Sequence, residues 1–196
     1  MDLLDAQGRR LYLTEEERRA FLDAANKAPR DIRTFCLVLL YTGCRISEGL
    51  ALAPKSFDFA GSAIVFRTLK KRRSDQYRAV PVPSRLLDTL DLVHNIQTRQ
   101  KMQGKDYMPQ IWPWSRMTAY RRVQEVMDTA RIAEGPHKCP KGLRHAYGVH
   151  AITTNVPLNM LSKWMGHSRI EMTVIYANAL GKEQHGIASR MWEGEA

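Results

Sequence analysis

Apolar residues recur at helical spacing along most of this chain and give way to alternation in only one stretch. Thr14-Glu15-Glu16-Glu17 has the form in which a hydroxyl and a carboxylate satisfy the first free amides of a helix, so it opens a helix through about Lys27. Pro29 and Asp31 then restart the chain. From Ile32 onward, Phe35, Cys36, Leu39 and Leu40 share one face while Leu37 and Val38 fill the other, which predicts a helix buried nearly all round. It delivers Gly43 and Arg45 to the interior. After Pro54 the period changes, and Ala63–Arg67 and Tyr77–Val82 read as strands flanking the charged stretch Leu69–Gln76. That arrangement is a hairpin with a basic tip.

Ser84 to about Lys101 and Ser115 to about Ile132 predict two longer helices, the second with Tyr120, Val123, Val126, Met127 and Ala130 on its apolar side. Between them, Tyr107–Trp114 is a proline-bearing loop. Helix signals return after Cys139-Pro140, at Pro157, and at Ser168-Arg169-Ile170-Glu171, a second capping box. Tyr176 therefore falls on or just past a short helix, and Gly181 breaks the chain before a last segment, Lys182–Trp192. The pattern predicts a mainly α fold with a small antiparallel β-hairpin or sheet (α+β) in one domain, without internal repeats. At 196 residues, 44% of them hydrophobic, the chain suffices for one well-packed core, with Trp112, Trp114 and Trp164 as core or loop anchors.

Charge narrows the choice of partner. Lys and Arg number 30 against 20 Asp and Glu, a net charge of +10, which favours a polyanion through attraction and counterion release. Nucleic acid is the first expectation. No apolar run approaches the length of a membrane span and no basic amphipathic helix stands out, so no membrane partner is expected. The first residues, Met1-Asp2-Leu3-Leu4-Asp5, lack a basic region followed by an apolar one, which predicts a cytoplasmic protein. Cys36, Cys44 and Cys139 form no C-x-x-C pair and are expected to be reduced and packed. His137, Cys139 and His145 match no common zinc spacing, so no metal is expected.

The chemistry concentrates in the last third. Gly142-Leu143-Arg144-His145 is followed by Gly166-His167-Ser168 and by Tyr176, nine positions past His167 (176 − 167). A second arginine lies upstream in Thr42-Gly43-Cys44-Arg45-Ile46-Ser47-Glu48. Guanidinium forks bind the non-bridging oxygens of a phosphodiester, and a phenolic oxygen can attack its phosphorus. Singly, Arg45 reads as a helix-start arginine paired with Glu48, and Tyr176 as a core tyrosine. Together the motifs resemble the tyrosine recombinase (phage integrase) family over its catalytic domain, here about Leu13 to Leu180. Within the family the chain resembles short members such as the fimbrial-switch invertases.

The resemblance implies a tyrosine recombinase catalytic-domain-like fold in a single domain spanning 1–196. Residues 1–13 would be an N-terminal extension and 177–196 a segment used in packing against a neighbouring copy. The usual N-terminal core-binding domain is not expected. It further implies a site-specific recombinase that cuts and rejoins double-stranded DNA through a 3′-phosphotyrosyl intermediate. Arg45, Lys141, Arg144 and His167 would hold the phosphate while Tyr176 attacks. Lys70 would protonate the leaving 5′ oxygen, with Lys71 close behind, and Lys71, Arg72 and Arg73 would face DNA. Glu48 and His145 stand behind these ligands, Glu48 holding Arg45. Lys141 departs from the family, which commonly has histidine there. That leaves the base for Tyr176 open, with His137 and His145 as candidates. The mechanism needs no cofactor, because the phosphotyrosine conserves the bond energy. A tetramer on DNA, monomeric when free, is implied. Two other readings are a catalytically impaired DNA-binding regulator with the same fold, suggested by Lys141, and a type IB topoisomerase-like enzyme.

Overall fold

A computed structural model describes residues 3–67, 77–102, 109–178, 185 and 188–191. The basic tip with Lys70, Lys71, Arg72 and Arg73 lies outside the described residues, as does most of the segment after Asn178.

Helix Glu15–Lys27 (α1) starts as its sequence predicts, with the Glu17 amide donating to Thr14 Oγ1 at 3.2 Å and the Thr14 amide donating to Glu17 Oε2 at 2.9 Å. Helix Arg30–Thr42 (α2) is the central element, buried along Phe35, Cys36, Leu37, Val38, Leu39 and Leu40. Each fully buried large apolar side chain of this kind stabilises the fold by about 1.5–3 kcal/mol relative to exposure. The helix ends at Gly43 in the left-handed region, φ 58°, where a Cβ would lie 2.4 Å from the Tyr147 ring. Only glycine fits there, and its tight turn leads directly into the short helix Ile46–Leu50 (α3).

A three-stranded antiparallel sheet follows, β1 (Phe57–Asp58), β2 (Ala63–Arg67) and β3 (Tyr77–Pro81), in the order β1-β2-β3 with Val65 opposite Ala79. The hairpin expected from the alternation is β2–β3. Two-residue β1 is too short to carry a period of its own. The helix expected from Ser84 to about Lys101 is instead two, Ser84–His94 (α4) and Ile96–Lys101 (α5). Asn95 between them adopts φ 52°, and the Asp91 carboxylate accepts from the Gln97 amide at 2.7 Å, so a left-handed asparagine turns the chain.

Helix Arg116–Thr129 (α6) is capped by Ser115, whose Oγ accepts from the Thr118 amide at 3.0 Å. Helices Pro140–Thr153 (α7), Leu158–Met165 (α8) and Glu171–Val174 (α9) complete the described set, and a 3₁₀ turn, Ile175–Asn178, carries Tyr176. The second capping box does not form. Ile170, the residue before Glu171, is already helical at φ −66° and ψ −28°, and Ser168 Oγ reaches Met172 Sδ instead of a free amide.

Helices α1, α4, α6 and α7 pack around α2, and Trp112, fully buried, donates from Nε1 to the Asp31 carbonyl at 3.0 Å. A second apolar cluster joins Leu3 and Tyr12 of the N-terminal segment to Val149, Leu161, Met165 and Tyr176. Among the described residues no helix is long and apolar enough to cross a membrane.

Candidate active site

Four separate elements meet at one basic cleft. Arg45 is the residue before α3, and its Nη1 donates to Glu48 Oε1 at 3.0 Å while its amide donates to Glu48 Oε2 at 2.9 Å. The guanidinium is thereby aimed by a buried carboxylate yet remains 28% exposed. Burial raises the Glu48 pKa, but Arg78 and Arg45 outweigh it and hold the carboxyl below its ordinary value.

Arg144 projects from the first turns of α7 into the interior. Its Nη1 donates to the Gly43 carbonyl at 2.6 Å, and its Nη2 donates to the Met165 carbonyl at 2.8 Å and meets His167 Nε2 at 3.1 Å. Among the described residues it makes no ion pair with a carboxylate. Burial, and then the nearby Arg45 charge, push its pKa down to about 10. An arginine this buried, bonded to carbonyls and lacking a counter-ion, is a site prepared for an anion.

His167 sits just past α8. Because a guanidinium only donates, Nε2 must accept from Arg144, and the ring proton is then on Nδ1, donated to Thr173 Oγ1 at 2.7 Å. Burial and the Arg144 and Arg45 charges lower its pKa to about 4, which keeps the ring neutral. The Tyr176 ring stacks on His167, with centroids 6.3 Å apart and planes 13° from parallel.

Tyr176 itself is fully buried. Its hydroxyl meets Nδ1 of His145, one turn-position after Arg144 on α7, at 3.2 Å. The two approach closely because Gly148 has no side chain, and a Cβ there would lie 2.5 Å from the Tyr176 ring. Burial raises the Tyr176 pKa to about 12, an effect that Arg144 and Arg45 reduce. Burial, Lys141 and Arg144 lower His145 to about 4. The pair therefore stands as neutral phenol and neutral imidazole. His145 Nε2 is buried without a hydrogen-bond partner among the described residues.

Lys141 is exposed and, with Arg45, Arg116, Tyr120 and Arg144, lines a cleft of about 360 Å³. Four cations and no carboxylate line it among the described residues. Arg45, Lys141 and Arg144 thus line one cleft, His167 bonds Arg144 behind it, and Tyr176 lies beside His167 but shielded.

His137 does not join them. It is 3.4 Å from Glu17 Oε1 and 3.5 Å from Arg10, fastened to the start of α1, which removes it as a base for Tyr176. Two residues escaped the sequence reading. Arg116 has no distinguishing signal at an exposed helix start. Arg78 has one, because it occupies an inward position of β3 in register with Val80, where a charge is unexpected. Among the described residues no group of His, Cys, Asp or Glu is arranged to hold a metal ion.

This geometry defines a mainly helical domain with a cation-lined cleft close to a buried tyrosine. The phage integrase family matches residues 11–183, and the chain belongs to that family. Tyrosine recombinase XerA of Pyrococcus furiosus is 26% identical over 179 residues, covering 87% of this chain and 58% of that protein. The type 1 fimbriae regulatory protein FimE of Escherichia coli K12 is 29% identical over 176 residues, covering 86% of this chain and 85% of FimE. Among solved structures, the XerH site-specific recombinase bound to its difH substrate in a pre-cleavage complex matches with a TM-score of 0.71 at 19% identity. That match covers 96% of this chain and 59% of XerH. The chain thus spans a little over half the length of XerA and of the XerH chain.

Proposed function

We propose that this protein is a site-specific DNA recombinase that cleaves and rejoins strands through a 3′-phosphotyrosyl intermediate. The observation that carries the reading is the buried Arg144, without a carboxylate partner among the described residues, bonded to His167 and sharing a cleft with Arg45 next to Tyr176. XerA is named a tyrosine recombinase, and XerH is described with its DNA substrate before cleavage, which supports double-stranded DNA as the partner here.

In the proposed reaction Tyr176 Oη bonds to phosphorus as the bond to the 5′ oxygen breaks. The phenolic proton passes to His145 Nδ1, and Lys70 gives a proton to the departing 5′ oxygen. Arg45, Arg144 and Lys141 neutralise the charge that builds on the non-bridging oxygens, while His167 orients Arg144. A 5′ hydroxyl from a second duplex then reverses the steps and frees the tyrosine. Exchange between two duplexes requires four strand cuts and hence four nucleophiles, so the working form is a tetramer on DNA, with the segment after Tyr176 packing on a neighbour. Its place is the cytoplasm, with the DNA.

To reach a phosphate, the shielded Tyr176 must shift toward the cleft while its hydroxyl stays within reach of His145. A four-residue helix and one 3₁₀ turn hold it, and such segments open at low cost compared with the core.

The function is tested by mixing the protein with DNA flanking its own gene, denaturing in SDS and analysing the ends. Protein-linked 3′ ends with free 5′ hydroxyls are expected. Bound DNA without linkage would favour the regulator reading, and relaxed supercoils without joined duplexes would favour the topoisomerase.

The proton path is tested at both ends. His145→Asn keeps an acceptor near Tyr176 but not a titratable base, and is expected to slow adduct formation at saturating protein by roughly 10²-fold. A rate within about threefold of wild type would route the proton elsewhere. Lys70→Ala is expected to slow cleavage of ordinary DNA by a similar factor of about 10² and to recover on a 5′-phosphorothiolate, whose sulfur leaves without a proton. Without recovery, the acid is a different group.

A further inference from the structure

Arg78 makes a set of contacts that no other described side chain makes. It enters from β3, is 5% exposed at its side chain, and uses every guanidinium nitrogen. Nη2 and Nη1 donate to Glu48 Oε2 at 2.7 Å and Oε1 at 3.3 Å, and Nε donates to the Trp164 carbonyl at 2.8 Å. Its charge lies 5.1 Å from the centre of the Phe66 ring, which seats the group from the sheet side. Gly166, at φ 64°, also lies against it, and a Cβ there would be 3.0 Å from Arg78 Nη1. The bare glycine lets the guanidinium lie against the turn that leads to His167.

Each partner of Arg78 aims a different part of the cleft. Glu48 is the carboxylate that directs Arg45. Trp164 immediately precedes Met165, whose carbonyl accepts from Arg144, and the same turn presents His167 to Arg144. Arg45 and Arg144 sit on separate elements and are not bonded to each other, so their separation depends on what joins those elements. A fork with three donors in fixed directions, bonded to both sides, fixes that separation in a way a flexible ammonium cannot.

The structure assigns to Arg78 the role of a positioning residue that sets the spacing of the two phosphate-binding halves, Arg45 with Glu48 and Arg144 with His167. This rests on the phosphodiester reading of the cleft. Arg78 touches no substrate. It acts through Glu48 and through the end of α8, so its loss displaces the groups that neutralise the phosphate charge. A misplacement of about 1 Å in such a site costs on the order of 10²-fold in rate.

The test compares two substrates. Arg78→Lys keeps a cation opposite Glu48 and preserves the buried charge balance, and Arg78→Gln serves as the harsher variant, both checked for folding by their thermal midpoints. Cleavage is measured on the ordinary phosphodiester and on a methylphosphonate at the same position, in which a methyl group replaces one non-bridging oxygen and removes the charge. Displaced arginines matter for the charged phosphate and little for the neutral one. Folded Arg78→Lys is expected to cleave the phosphodiester roughly 10²-fold more slowly while changing methylphosphonate cleavage by less than about threefold. Equal slowing on both substrates would mean a general structural defect and overturn the assignment, as would an unchanged phosphodiester rate. If the wild-type protein forms no adduct on either substrate, the recombinase reading fails, an outcome distinct from either of these.

Discussion

Tyr176→Phe is expected to abolish covalent attachment to DNA, lowering the cleavage rate by on the order of 10⁴-fold or more, because it removes the attacking oxygen, the one that meets His145. The ring stays, so packing against Gly148 and His167 is kept and no cavity opens. The lost hydroxyl leaves His145 Nδ1 without its partner, a cost of about 1 kcal/mol in stability. DNA affinity comes chiefly from cations on phosphates, so it is expected to change by less than about threefold. Quantifying SDS-resistant adducts and filter-bound DNA for the two proteins separates these effects. Adducts that persist in the phenylalanine variant would point to Tyr147, whose ring packs on Gly43 and whose hydroxyl burial also holds at a pKa of about 12.

Arg144→Lys is the second large effect. The substitution keeps a positive charge but replaces a planar fork by a single flexible ammonium, which cannot hold the Gly43 and Met165 carbonyls and a phosphate at once. Removing one directed donor from a developing oxyanion typically costs 10²–10³-fold, and the expected loss in cleavage rate is about 10³-fold because the His167 contact is lost as well. The carbonyl contacts also join α7 to the end of α2 and to the end of α8, so the thermal midpoint is expected to fall. Single-turnover cleavage at saturating protein, read beside the melting curve, measures both. A lysine variant that cleaves within about tenfold of wild type would mean that the fork is not what binds the phosphate.

Local signals and tertiary contacts divide what the sequence makes legible. Thr14 and Glu17 announce α1 because both halves of the capping box lie within four residues, and the all-round apolar face of α2 and the alternation of β2 and β3 are equally local. The same Ser-x-x-Glu signal fails at Ser168, where the turn after Gly166 is shaped by His167 bonding Thr173 and not by a free helix end. Asn95 breaks a helix whose apolar pattern runs on, because Asp91 stabilises the left-handed turn.

At the site, Arg45, Arg144, His167 and Tyr176 were legible from spacing and family resemblance. Their mutual geometry was not. Glu48 accepting from Arg78, Arg78 reaching across to Trp164, and His145 meeting the Tyr176 hydroxyl each join residues at least 30 positions apart, as 78 − 48 and 176 − 145 show. No local rule carries such pairs. The core-tyrosine reading of Tyr176 does not tell what covers it, since Leu3 and Tyr12 of its cluster come from the opposite end of the chain.

The nucleophile is identified most directly by digesting the protein–DNA adduct with trypsin and finding the DNA-linked peptide by mass spectrometry. The peptide Ile170–Lys182 is expected to carry a nucleotide 3′-phosphate on Tyr176. Linkage to the peptide His145–Lys163, which contains Tyr147, or the absence of any phosphotyrosyl peptide from bound and incubated DNA, would contradict it.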